Sequence, residues 1–288
     1  MTSPADNTSL PYLPPRKPES HKGDYGRVLL IGGSRGMAGS ISLSAMAALR
    51  GGAGLVKVAV PSVCQDLVAG FEPSYMTVGL AADESGRIAA EARDQIIASA
   101  KEATVLAIGP GLGRSAALDE LVAWLYRVIP KPMVLDADAL NALANQLDVL
   151  PHAGAARLLT PHPGEFARLV GSQAESLEAR RAQAFELAAR SERLVVVLKG
   201  HHTFVTDGKT TATGSTGNPG MATGGSGDVL TGLIAALLAQ GMNPLDAAHL
   251  GVHLHGLAGD LAAADLGQQS LIASDLIKYL PQAFRARG

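Results

Sequence analysis

The sequence predicts an α/β protein with a mainly parallel central sheet flanked by helices, and three observations carry that prediction. Short apolar runs recur at 28–31, 55–60, 76–80, 104–108, 133–136, 157–160 and 194–198. Helical patterns lie between several of them, notably at 87–100, 115–128 and 173–190. Alternation of this kind favours one layered sheet with crossover helices. Loops rich in glycine or polar residues then follow one strand after another, at the edge where such sheets bind their ligands.

Taken in order, residues 1–20 are polar and proline-rich with no apolar signal region, which predicts a flexible leader. The stretch 21–288 shows no linker, repeat or low-complexity block and reads as one domain. The run 28–31 enters Gly32-Gly33-Ser34-Arg35-Gly36-Met37-Ala38-Gly39-Ser40, followed by a helix over 41–50 and a strand over 55–60. That loop is either a ligand contact or a tight turn. It is not a dinucleotide fingerprint, because the glycines miss the G-x-G-x-x-G spacing and the next strand ends in Val60-Pro61 without an acidic residue. A P-loop sequence is absent as well.

Four further strands end in chemically unusual loops. These are Gly109-Pro110-Gly111-Leu112-Gly113-Arg114, Asp136-Ala137-Asp138, Thr160-Pro161-His162-Pro163-Gly164-Glu165 and Lys199-Gly200-His201-His202-Thr203. Any one is ordinary turn chemistry; five at one edge make a site. Ser172-Gln173-Ala174-Glu175 predicts a capping box for the helix over 173–190. A hairpin is predicted over 203–213, turning at Asp207-Gly208, and 245–280 reads as largely helical. His249 and His253 stand four apart, but Leu250 fills the place where a zinc protease motif needs Glu, so they are assigned to helix packing.

Composition removes several classes of function. A formal net charge of −2 gives no basic footprint for nucleic acid. Cys64 is the only cysteine, so neither an internal disulfide nor a cysteine-based zinc site can form. The longest apolar run, 229–239, is too short to span a bilayer, and a cytoplasmic protein without membrane association is expected.

The densest signal is 214–228, a glycine-rich stretch ending Gly224-Gly225-Ser226-Gly227-Asp228 and running straight into an apolar helix over 229–240. Glycine lets successive amides turn toward one point, and a helix start adds unpaired N–H groups and a positive dipole end. Together they make a cradle for phosphate or a developing anion. Asp228 is odd in a purely anionic cradle. It either caps the helix or serves as a base toward a hydroxyl that receives a phosphoryl group.

These motifs together resemble the ribokinase-like superfamily, with its three-layer sandwich, and within it the ADP-dependent NAD(P)H-hydrate dehydratases. The resemblance runs from about 22 to 280 and rests on HKGDYGRVLLIGGSRGMAGS, AIGPGLGR, VLDADALNAL, LTPHPGEFARL, VVLKGHHTFVTDG and GNPGMATGGSGDVLTG, in family order. It implies repair of hydrated NADH and NADPH, the (S)-epimer, by phosphorylation of the C6 hydroxyl and loss of phosphate. ADP would be the donor (ATP in some members), AMP the other product, and Mg2+ the cofactor. The resemblance places Ala38, Gly113, His162 and Asp228 at the hydrate, with Asp228 as general base. It places Lys199, Gly200, His201, His202, Thr203 and Gly227 at the nucleotide, and the amides of Gly225, Ser226 and Gly227 around the phosphoryl in flight.

Related kinases carry Asn-x-x-Glu after Thr-Pro to organise magnesium. Here His162 replaces the Asn and Glu165 is kept, which points toward the dehydratases and leaves Glu165 as the metal-side residue. Asp136 and Asp138 either assist or cap strand ends. Many bacterial relatives fuse this domain to an epimerase; the length here leaves no room for one, so a separate epimerase is the expected functional partner, and a homotetramer the expected assembly. Two rival readings share much of this: a vitamin-alcohol kinase of the same superfamily, and a nucleotide-sensing binding protein without catalysis, which the presence of Asp228 disfavours.

Overall fold

The computed structural model describes residues 5–6 and 9–287; the rest of the predicted leader lies outside the described residues. Its strands are β1 (Ala5–Asp6), β2 (Arg27–Ile31), β3 (Leu55–Pro61), β4 (Met76–Leu80) and β5 (Val105–Ile108). They continue with β6 (Met133–Leu135), β7 (Arg157–Leu159), β8 (Leu194–Leu198), β9 (Phe204–Thr206) and β10 (Thr210–Thr213). One sheet holds all ten, in the order β1-β10-β9-β8-β7-β6-β5-β2-β3-β4. From β2 to β8 every neighbouring pair is parallel, and β9 runs antiparallel to both β8 and β10. The expected hairpin is therefore present, and β1 adds two residues in parallel to its outer strand.

Helices cover both faces. They are α1 (Ala38–Arg50), α2 (Gln65–Ala69), α3 (Arg93–Glu102), α4 (Ala116–Val128) and α5 (Asp138–Ala144). Next come α6 (Pro163–Val170), α7 (Leu177–Ala188), α8 (Ser226–Ala239), α9 (Pro244–Leu266) and α10 (Ala273–Arg287). Side chains of a strand alternate between faces, and β2 shows the result. Val28 and Leu30 join a core with α1, α8, α9 and α10, whereas Leu29 and Ile31 join a second core with α3 to α7. Burial on both faces explains why the parallel strands read as continuous apolar runs rather than alternating ones.

Helix α8 is buried almost all round, consistent with its unbroken apolar sequence. It lies against α1 at a point where neither helix can carry bulk: a Cβ on Gly232 would stand 1.9 Å from the Ser44 carbonyl oxygen. The strand order reverses between β2 and β5, so the loops leaving these two neighbours diverge and open a crevice at their carboxyl ends. The Gly33 N–H donates to the Pro110 carbonyl (2.9 Å) and the Ser34 hydroxyl to the Gly111 carbonyl (2.9 Å), tying the two loops together at the crevice floor.

Several local expectations change. The helix predicted over 87–100 begins only at Arg93, because Ile88 pairs with Ala82 in an antiparallel bridge. The predicted capping box at 172–175 does not form. Gly171 ends α6 in the left-handed region (φ 72°), and α7 starts after Ser176, whose side chain accepts the Ala179 N–H (3.1 Å). A capping box does form at His162 and Glu165, opening α6 where only a loop was expected. Within the described part of the expected leader, Leu13 packs on the core, and Arg16 donates to the Gly52 carbonyl (2.7 Å) while lying 3.8 Å from the Tyr25 ring centroid. No helix among the described residues is long and apolar enough to cross a membrane.

Candidate active site

Asp136 follows the last residue of β6 and is 1% exposed. A buried carboxylate needs partners for its lone pairs, and Asp136 has two. Its Oδ1 lies 2.7 Å from Lys199 Nζ, and its Oδ2 accepts the Thr231 hydroxyl at 2.7 Å. The approach requires glycine nearby: Gly109 has φ 126°, and a Cβ there would stand 1.8 Å from the Asp136 carbonyl oxygen. Lys199, immediately after β8, thus reaches across the end of one strand, β7, to the residue that follows β6.

Glu165 belongs to the first turn of α6. Its Oε2 accepts the His162 N–H (2.8 Å) and lies 3.9 Å from Lys199 Nζ, while Oε1 is 3.4 Å from His162 Nε2. His162 in turn caps the helix through Nδ1, which accepts the Gly164 N–H (3.0 Å) and, at 3.4 Å, the Glu165 N–H. Burial pushes the Glu165 carboxyl above its ordinary range; Lys199 opposes that shift and Asp136 adds to it.

Asp228 stands third in α8, behind Gly225, which caps the helix with φ 89°. The capping alternative for Asp228 is therefore not what the fold uses. Burial, with Asp136 beside it, pushes its carboxyl up to about 7, against a hydrogen bond from Ser40 and the nearby Lys199 charge. Lys199 itself loses by burial but is held above the ordinary lysine range by Asp136, Glu165 and Asp228. A Cβ on Gly227 would stand 3.0 Å from Lys199 Nζ, so glycine leaves the space between the helix start and the ammonium open. Of the three amides expected around a phosphoryl group, Ser226 gives its N–H to the Thr223 carbonyl at 3.4 Å, and those of Gly225 and Gly227 have no protein acceptor among the described residues.

The remaining predicted residues sit around this centre. Ala38 is the first residue of α1, whose Ser44 hydroxyl donates to the Asp228 carbonyl at 2.7 Å. Gly113 has φ 80° and gives its N–H to Asp138 Oδ2 (2.9 Å), so Asp138 tethers the loop after β5. In the turn after β8, the Thr203 hydroxyl donates to the Gly200 carbonyl (3.1 Å), and His201 and His202 are exposed with ring centroids 3.9 Å apart. His202 Nδ1 lies 3.3 Å from the Gly214 carbonyl oxygen, which brings this turn against the start of the glycine-rich loop.

Two further residues were missed from sequence. Asp260 on α9 accepts the Gly217 N–H (2.8 Å) and the Asn218 side-chain amide (2.9 Å), clamping the glycine-rich loop. His255, on the same helix, places Nε2 2.9 Å from the Ser226 carbonyl oxygen. Both act on backbone groups, Asp260 on the Asn218 side chain as well, and such roles leave no local spacing to recognise.

A base near neutrality, a lysine ammonium and a helix start with free amides converge on one crevice. That set can deprotonate a hydroxyl and stabilise a phosphoryl group passing to it. Among the described residues no group of three His, Cys, Asp or Glu side chains is arranged to hold a metal ion by protein ligands alone.

The fold and site define a ribokinase-like protein. A hydroxyethylthiazole kinase from Pyrococcus horikoshii shares the fold, with a TM-score of 0.61 at 17% identity over 92% of each chain. The chain belongs to the Carb_kinase family, described as NAD(P)H-hydrate dehydratase, which matches residues 28–282. It is 47% identical over 275 residues to the bifunctional NAD(P)H-hydrate repair enzyme Nnr of Moorella thermoacetica, covering 95% of this chain and 52% of that protein. The chain thus spans about half the length of the curated relatives it matches. The ADP/ATP-dependent NAD(P)H-hydrate dehydratase from Bacillus subtilis, co-crystallised with ATP/Mg2+, superposes with a TM-score of 0.79 at 29% identity, covering 96% of this chain and 95% of that one.

Proposed function

We propose that this chain dehydrates the (S)-epimer of hydrated NADH and NADPH, using ADP as phosphoryl donor. The observation that carries the reading is Asp228: a carboxyl raised to about 7, at a helix start with free amides, beside a lysine held by two other carboxyls. The family match and the ATP/Mg2+ complex of the Bacillus subtilis relative support nucleotide use at this site.

Asp228 takes the proton of the C6 hydroxyl as that oxygen attacks the terminal phosphorus of the donor. The bond from phosphorus to the bridging oxygen breaks, and the shortened nucleotide leaves with the electron pair. Gly225 and Gly227 N–H groups face the phosphoryl charge, and Lys199 contributes a point charge from beneath Gly227. The ring nitrogen lone pair then expels phosphate from C6, and loss of a proton from C5 restores the double bond. In this reading Ala38 and Gly113 border the hydrate, Gly113 with its α-carbon turned to the Arg87 side chain, and the turn 199–203 borders the nucleotide.

Magnesium fits the donor set: Glu165 and Asp136 are two buried carboxylates that both border the Lys199 ammonium, and this ion takes few protein carboxylates while keeping several waters. Bound there, it would neutralise phosphate charge. Glu165 and Asp136 would hold it, partly through water.

Purified protein with hydrated NADH, magnesium and either ADP or ATP should regenerate the absorbance of the reduced nicotinamide ring. Asp228→Asn should lower that rate by about 10²–10⁴-fold. Because folding raises this carboxyl, its ionisation costs stability above about pH 7, and no cost remains once the pH falls below its ordinary value of 3.8. The Asn variant should therefore melt higher than the wild type in alkaline buffer and alike in acid. No absorbance change with either nucleotide, in folded protein that binds ADP, would overturn the dehydratase reading and favour an alcohol kinase.

A further inference from the structure

His255 lies on α9, outside every loop that the proposed reaction uses, yet its ring meets the first turn of α8. Nε2 stands 2.9 Å from the Ser226 carbonyl oxygen and 3.4 Å from the Ser226 hydroxyl. A carbonyl oxygen only accepts, so Nε2 carries the hydrogen and donates it. The peptide unit that owns this carbonyl is the one joining Ser226 to Gly227. In a planar trans peptide the C=O and N–H point in opposite directions. A hydrogen bond that fixes the Ser226 carbonyl toward the His255 ring therefore fixes the Gly227 N–H in the opposite direction. It also draws electron density from the amide, since hydrogen bonds along a chain polarise one another by about 10–30% each.

The surroundings favour a neutral donor. Burial pushes the imidazole down to about 4, and the Lys199 charge presses in the same direction. A neutral ring donates to the carbonyl without adding a second cation behind the amide. The rest of α9 is shaped to the same end. Gly256 and Gly259 let the loop lie close, since a Cβ on either would stand 2.3 Å from Thr216 Oγ1 or Met221 Sδ respectively. Asp260 and the His253 carbonyl, which accepts the Thr216 hydroxyl at 2.8 Å, hold the loop from the same helix.

We propose that His255 is a positioning residue for phosphoryl transfer, orienting and polarising the Gly227 amide by donating to the Ser226 carbonyl. The inference deepens the proposed function and rests on Gly227 facing a phosphoryl group. It assigns His255 no contact with either substrate. Its effect belongs to the transition state, where phosphoryl charge is greatest, and so to kcat more than to KM.

The test compares His255→Leu with His255→Gln in the full chain, the Gln amide restoring a donor at the position of Nε2. In the dehydration assay the Leu variant should lose about tenfold in kcat, less than the roughly 10²–10³ of a donor that touches the developing charge itself, with KM for hydrate and nucleotide within about twofold. The Gln variant should recover most of the loss although it packs less well. Equal losses in both variants, or a loss carried by KM, would make His255 a packing residue and overturn the proposal. A second measurement does not depend on the acceptor: calorimetric binding of the shortened nucleotide (AMP for an ADP donor, ADP for ATP) with magnesium and aluminium fluoride, a flat phosphoryl mimic. The Leu variant should bind this mixture about tenfold more weakly than the wild type, the Gln variant nearly as well, and all three should bind the nucleotide alone equally. Wild-type protein that binds the mimic but not the hydrate would refute the dehydratase reading alone. Failure of the wild type to bind the mimic would refute the anion site, and His255 with it.

Discussion

Arg157 and Lys199 are both withdrawn from water, at opposite ends of the adjacent parallel strands β7 and β8, and they are satisfied in opposite ways. Arg157 opens β7 and is fully buried. Its guanidinium donates to the carbonyls of Tyr126 (2.5 and 3.0 Å), Ile129 (2.7 Å), Lys131 (2.9 Å) and Ala156 (3.1 Å). Two of these carbonyls lie at the end of α4, where the helix dipole is negative. With no carboxylate beside it, burial pulls its value down to about 10. Lys199 follows β8 and faces Asp136, Glu165 and Asp228, and it is held above its ordinary range. A rigid five-donor fork suits fixed backbone acceptors, whereas a compact ammonium on a flexible stem suits a centre whose charges must change partners. The amino end of the sheet is thus closed by dipoles. The carboxyl end gathers three carboxyls around one ammonium, a surplus of negative charge that calls for a cation before a phosphoryl donor can enter.

The comparison predicts a separation of stability from activity. Arg157→Met should destabilise the fold by about 3 kcal/mol or more, since it strands several buried carbonyls. Chemical denaturation would show that loss, with the rate per folded molecule unchanged. Lys199→Met should do the reverse in emphasis, with turnover falling by about a hundredfold or more. A large activity loss in the Arg157 variant at temperatures where it is fully folded would break the distinction. Smaller, and sharper, is Asp136→Asn. Asp136 raises the Asp228 carboxyl and holds Lys199 away from it, so its neutralisation should move the acidic limb of the pH–rate profile to lower pH. An unmoved limb would mean that another group controls it. The smallest effect is expected at a third cation, Lys57, which pairs with the exposed Glu102 at 2.8 Å. Exposed pairs are screened by solvent, so Lys57→Gln should leave both melting temperature and rate unchanged within error.

Lys199, Glu165 and Asp228 were legible in the sequence because each sits in a loop whose composition departs from ordinary turn chemistry, after a strand that the apolar runs make plain. Convergence at one sheet edge then follows from parallel topology. Asp136 was readable only as an ambiguity, resolved by Thr231, which lies 95 residues away in sequence. Arg157 read as part of an apolar strand, since its partners are carbonyls and every residue has one. His255 escaped for the same reason, and Asp260 because its partners, a backbone N–H and the Asn218 amide, lie more than forty residues away in sequence. The capping box at 172–175 failed although its letters fit, because Gly171 turns the chain at φ 72° and the helix starts a turn later. At His162 the box formed with an imidazole in the place of the usual hydroxyl or carboxylate, a substitution that residue preferences do not anticipate.

The contact of Gly232 with the Ser44 carbonyl has a mechanical consequence. With the backbones of α1 and α8 this close, and the Ser44 hydroxyl bonded to the Asp228 carbonyl, the two helices have no layer of side chains on which to slide. Their amino ends carry the loop before Ala38 and the amides before Asp228, the two walls of the crevice. Separating those walls requires breaking the contact outright, so they open as one cooperative unit or remain closed. The loop after β5 is tied to the same wall through Pro110 and Gly111, so any widening of the crevice falls to the turn after β8, for which no backbone contact of this kind to α8 is found among the described residues.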